Sequence, residues 1–161
     1  MKPLINDLKE HLNWKMETRK YTDMGAVYGK VVSIFKELKD GMSDYSIGGD
    51  PLVNYIEDDY RKSTTLKVDT SLFGDHYVRH LKVEPDISKS HTFLIECSYQ
   101  DLDPAPPPQR IAEIKVGTHE STIKILKSSV SVGIDRQKEV VFTQEEFEDL
   151  IREALLYKVE A

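Results

Sequence analysis

The chain has 161 residues, 39% of them hydrophobic and 31% charged, with a formal net charge of −6 and a single cysteine. A chain of this length buries enough surface to fold without disulfides or a metal, and this balance lies well away from disordered and membrane compositions. The acidic excess argues against nonspecific binding to phosphate backbones, which needs clustered lysine and arginine.

One α+β domain spanning residues 1–161 is expected, with no internal repeat and no linker. The start, MKPLINDLKEH, carries charges where a secretory signal needs an apolar centre, and no apolar run reaches the length of a membrane span. A cytoplasmic location is therefore expected.

Residues 4–20 read as an amphipathic helix in which Leu4, Ile5, Leu8, Leu12 and Met16 share a third of the circumference, a stripe expected to face the core. Trp14 points away from that stripe, which predicts contact with the following helix and makes it a candidate partner contact. Thr22 or Asp23 caps a second helix running to about Asp40, with Gly41 as its stop. Met24, Val27, Tyr28, Val31, Ile34, Phe35 and Leu38 make its broad stripe, and the Gly25/Gly29 spacing is a weak signal for close helix contact.

The segment GMSDYSIGGDP reads as a loop, after which Asp50 and Pro51 match the cap and first residue of a short third helix to about Tyr60. Glu57, Asp58 and Asp59 then form a solvated acidic end, followed at once by Arg61 and Lys62.

From Ser63 the apolar period changes to two. Leu66 and Val68 alternate with polar residues, as do Tyr77, Leu81 and Val83, which leaves Arg79 on an apolar face in need of a sheet edge or a carboxylate. His91, Phe93, Ile95, Cys97 and Tyr99 share one face of the next strand, and Ala112, Ile114 and Val116 one face of the strand after the proline tract. Ile123 and Ile125 are out of phase with Val130, Val132 and Ile134, which predicts a bulge or break near Lys127 to Ser129. EVVF is a last strand that runs into TQEEFEDLIREALLY. There Thr143 and Glu146 match a capping box, and Phe142 and Phe147 a hydrophobic staple.

The expected architecture is two N-terminal helices, a short third helix, a five- to six-stranded antiparallel meander and a C-terminal helix packed on one sheet face.

The chemistry is sparse. There is no Walker loop, no G-x-G-x-x-G after a strand, no G-x-S-x-G, no C-x-x-C and no H-E-x-x-H. Cys97, among alternating apolar residues, reads as a buried inert thiol. His76 and His80 have H-x-x-x-H spacing, but on a strand that spacing sets them roughly 13 Å apart, too far for one metal. No metal and no cofactor are expected.

These readings lead to a small acidic protein-binding module without catalytic activity, of the adaptor, chaperone, inhibitor or immunity type. Its candidate contacts are Trp14, the acidic residues Glu57, Asp58, Asp59, Glu145 and Glu148, and the stiff loop Asp101, Asp103, Pro104, Pro106, Pro107 and Pro108. The partner is another protein or a second copy of the chain, the latter if the stripes of the first two helices leave surface for it. One alternative is single-strand nucleic-acid binding on an open sheet face, with Lys115, Lys124, Lys127, Arg136 and Lys138 as a basic stripe. The other is an enzyme with dispersed residues drawn from Asp75, His76, His80, His91 and His119.

Overall fold

Alternating segments tend to pair with their chain neighbours, and the described strands all do so. In the computed structural model, which describes residues 2–69, 80–99, 107–126 and 139–156, seven strands form one antiparallel sheet in sequence order. They are β3 (Val53–Asp58), β4 (Ser63–Val68), β5 (His80–Pro85), β6 (Thr92–Ser98), β7 (Gln109–Lys115), β8 (Thr122–Ile125) and β9 (Glu139–Val141). Helices α1 (Lys2–Thr18) and α2 (Met24–Gly41) precede the sheet, α3 (Gln144–Leu156) follows it, and a small hairpin of β1 (Ser46–Ile47) and β2 (Asp50–Pro51) lies between α2 and β3.

The seventh strand and the extra hairpin come from the stretch expected to be a loop and a third helix. Ile47 pairs with Asp50 around Gly48 and Gly49, whose φ values of 60° and 88° suit the tight two-residue turn that only glycine makes without strain. Residues 53–58 are an edge strand, not a helix, paired with β4 from Val53↔Val68 to Asp58↔Ser63. The spacing of Leu52, Tyr55 and Ile56 fits a helix as well as a strand. Pairing decides, because Val53 and Tyr55 then turn to the core while Asn54 and Ile56 turn away.

One face of the sheet forms the core. Register aligns Tyr55, Leu66, Leu81 and Cys97 in one row across β3 to β6, and Val83, Ile95, Ala112 and Ile125 in the next across β5 to β8. Val27, Val31, Ile34 and Phe35 of α2 and Phe147, Leu150, Ile151 and Ala154 of α3 belong to the same hydrophobic cluster. Phe142, Phe147 and Phe35 follow one another through it, with ring centroids 5.9 Å and 6.1 Å apart. The β6–β7 pair is central, as Phe93, Ile95, Cys97, Ala112 and Ile114 predict, and a bulge at Ile95/Glu96 turns Ile111 into the core as well. His91 is not part of that strand: it is exposed in the preceding turn at φ 54°.

The caps follow the expected chemistry. The Ala26 N–H donates to Asp23 Oδ1 at 2.7 Å at the start of α2, and the Glu146 N–H donates to Thr143 Oγ1 at 3.1 Å at the start of α3. The contact expected at Gly25 and Gly29 is not made. Both are exposed, and a Cβ at Gly29 would meet nothing within 4 Å.

Helix α1 departs most from expectation. Its stripe does not face the core: Leu4, Ile5, Leu8, Leu12 and Met16 are between 47% and 65% exposed. Trp14 is 38% exposed, and its ring contacts among the described residues lie within α1. It stacks on His11 of its own helix and lies under the Lys15 ammonium. At 100° per residue Lys15 falls between Leu4 and Leu8 on the wheel, so a surface that covers the stripe must bring a carboxylate to its ammonium, which the apolar core does not. Among the described residues the base of α1 is the part tied to the core. Thr18 and Tyr21 are buried, Tyr21 meets Phe142 edge-on at 5.1 Å, the Ser121 hydroxyl donates to the Tyr21 carbonyl, and the Gln144 N–H donates to Glu17 Oε1 at 3.3 Å.

Candidate functional site

The face of the sheet turned away from the core is polar, and strand register sets its pattern. One row across it runs Asn54, Lys67, His80, Ser98, and the next Ile56, Thr65, Lys82, Glu96, Arg110. A third contains Glu84, Leu94, Glu113, Lys124 and Glu139. In the second and third rows cations and carboxylates are neighbours. Lys82 lies 3.0 Å from Glu84, and Arg110 lies 3.7 Å from Glu96. The Glu113 side chain, only 2% exposed, accepts from Lys89 at 3.0 Å with Lys115 at 4.0 Å.

Two adjoining hollows lie on this face and share Glu96. The first, about 420 Å³, is lined by Ile56 and Asp58 of β3, Ser63, Thr65 and Lys67 of β4, His80 and Lys82 of β5, Glu96 and Ser98 of β6, and Pro108. The second, about 560 Å³, lies toward the β3–β4 and β5–β6 turns, where Tyr60 and Ile87 are almost wholly exposed, with Arg61, Glu84, Asp86, Leu94 and Arg110 around it. Together they form a trough across β3 to β7 with apolar groups at its borders and hydroxyls and mixed charges along its floor.

Few groups here have displaced titrations. Hydrogen bonds from the Ser88 hydroxyl and N–H hold the Asp86 carboxyl below its ordinary value. Burial, then the carboxylates of Glu57, Asp59 and Asp58, push the Tyr28 hydroxyl up, and that hydroxyl donates to the Ser63 carbonyl at 3.1 Å. Burial also pushes the Cys97 thiol well up, as its place in the core requires. Among the described residues no group of three His, Cys, Asp or Glu side chains is arranged to hold a metal ion.

The residues singled out from the sequence are dispersed, with one convergence. Asp58 and Pro108, chosen for unrelated reasons, line the same hollow. Glu57 and Asp59 flank Asp58 at the end of β3, all three exposed, whereas Glu145 and Glu148 sit on α3, which leaves the sheet from β9 at the opposite edge. Trp14 is on α1, and Pro107 is exposed ahead of β7. Asp101, Asp103, Pro104 and Pro106 lie outside the described residues, as do Lys127, Arg136, Lys138, Asp75, His76, Arg79 and the predicted break near Lys127 to Ser129. Lys115 and Lys124 are on the polar face, Lys115 4.0 Å from the Glu113 carboxylate and Lys124 opposite Glu113 in the strand register. His80 is buried at the start of β5, while His119 is exposed in the β7–β8 turn.

The sequence reading missed Thr65, Lys67, Lys82, Glu96 and Ser98 as a set. Their signal is present, since each is the polar alternate of a strand whose apolar alternates were assigned to the core. What places them together is register, which alternation alone does not supply. Comparison with protein-family models, with curated proteins and with solved structures gives no match to this chain.

Proposed function

We propose that this chain is a noncatalytic protein-binding module that takes an extended segment of its partner along the polar sheet face. The observation that carries this reading is the trough itself: two adjoining hollows of about 420 and 560 Å³ with a floor of paired opposite charges. A uniform polyanion would meet as many carboxylates as lysines and arginines there. A polypeptide with hydroxyl, amide and mixed charged side chains finds complementary partners, and Ile56, Pro108, Tyr60 and Ile87 offer apolar contact at the borders.

The test is selection from a random peptide library on the full chain, with counter-selection on a Thr65→Arg, Ser98→Arg variant that fills the first hollow. Both side chains point away from the core, so the variant should keep the native circular dichroism spectrum. Peptides are expected that bind the native chain and lose about tenfold or more in affinity on the variant. Failure to enrich any sequence that distinguishes the two proteins would refute the reading. Tight binding of single-stranded oligonucleotides, lost on the same variant, would replace it with the nucleic-acid alternative.

A further inference from the structure

The stripe of α1 lies outside the core cluster of the described residues and is about half or more exposed, and its base is anchored, so the helix stands as a held arm with a defined exposed face. Contiguous exposed apolar residues on such an element mark a contact surface. The pattern of α1 says what fits it. Leu4, Leu8, Leu12 and Met16 form one i,i+4 ridge, bordered on one side by the row Asp7, His11, Lys15 and on the other by Ile5, Lys9, Asn13, Glu17.

We propose that the occupant is α1 of a second copy of this chain, the two helices running antiparallel about a two-fold axis at His11. This rests on α1 alone and is independent of any partner on the sheet face. In that register the second copy's Leu12 lies level with Glu10, midway between Leu8 and Leu12, and its Leu8 lies level with Trp14, midway between Leu12 and Met16. The two ridges interleave at steps of about 3 Å along the axis. The bordering row is self-complementary in the same register, because Asp7 of each copy faces Lys15 of the other. Parallel pairing about a two-fold axis would instead set Leu8 level with Leu8 and Leu12 level with Leu12, so the two ridges would meet crest to crest and not interleave. The helix has 17 residues and so is about 26 Å long, and its face is smaller than the roughly 800 Å² per partner of a standard interface. The pair therefore belongs to the weak class and forms at micromolar concentration.

Sedimentation equilibrium of the full chain across about one to a few hundred micromolar tests this. The mass is expected to rise with concentration from 18.5 kDa toward twice that value. Leu8→Glu with Leu12→Glu should hold the protein monomeric over the whole range with an unchanged melting temperature. Asp7→Lys and Lys15→Asp should each weaken association by about fivefold, and the double variant should restore most of it. A short bis-maleimide reagent should cross-link His11→Cys into a dimer and leave Leu4→Cys monomeric, and buried Cys97 does not interfere. A wild-type chain that stays monomeric throughout overturns the proposal and leaves the stripe to a different protein. So does a dimer indifferent to the two glutamates, and cross-linking of Leu4→Cys as readily as His11→Cys overturns the antiparallel register.

Discussion

Helix α3 buries Phe147, Leu150, Ile151 and Ala154 in the core, whereas α1 leaves Leu4, Leu8, Leu12 and Met16 in solvent, although both carry an apolar stripe on one side. The difference lies in what each stripe excludes and in how each helix is joined to the sheet. No cation interrupts the buried side of α3, and the helix starts two residues after β9, with Phe142 and Phe147 clamping its first turn and Thr143 capping it. Lys15 lies within the α1 stripe, and the connection of residues 19–23 is itself pinned by Tyr21, so α1 is held by its end and not by its face. Amphipathicity specifies that a helix has a surface to cover. The connection decides whether that surface is covered from within the chain.

Thiol accessibility should separate the two environments most sharply. Cys97, fully buried and with its ionisation suppressed by burial, is expected to react with a thiol reagent at least about 10⁴-fold more slowly than the cysteine of the His11→Cys variant, because labelling must wait for the core to open. Comparable rates at native pH would mean that the central strands are not a protected core.

Stability should divide the same way. Phe147→Ala removes a ring with no exposed surface and is expected to cost about 3–5 kcal/mol in denaturant unfolding. Leu8→Ala, measured at low micromolar protein, should stay within about 0.5 kcal/mol of wild type. A large loss at Leu8 in dilute solution would show that α1 docks after all. The capping interaction is a smaller lever: Thr143→Ala should cost about 1 kcal/mol by leaving the Glu146 N–H without its side-chain acceptor.

The smallest effect is local. Ser88→Ala removes the hydroxyl donor to Asp86 and should raise that carboxyl toward its ordinary value in an NMR titration. The sign follows from linkage. A carboxyl lowered in the folded state contributes stability above its unfolded value, and that contribution disappears as pH falls through the lowered one. An unchanged Asp86 titration in the variant would show that the Ser88 hydroxyl does not set it.

Local rules were enough for the parts whose physics is local. The N-cap at Thr143, the staple of Phe142 and Phe147, the cap at Asp23 and the alternation of Phe93, Ile95 and Cys97 against Glu96 all appear where the residue pattern predicts them. The stretch 50–60 was misread because Leu52, Tyr55 and Ile56 satisfy helical and strand spacing equally over so short a run, and only pairing with β4 distinguishes them. The candidate site was the least legible. Asp58 and Pro108 stood out for their charge and stiffness, but nothing in the 49 positions between them indicates that they border one hollow.

The sequence by itself determined the α+β class, the two faces of strands β4 to β8 and the starts of its second and last helices, because period, caps and turn residues act within a few residues of one another. The tertiary structure alone decided the count of seven strands, the trough and the exposure of the first stripe. Register brings Thr65, Lys82 and Glu96 together from three strands, and the burial of α1 depends on whether another surface meets it.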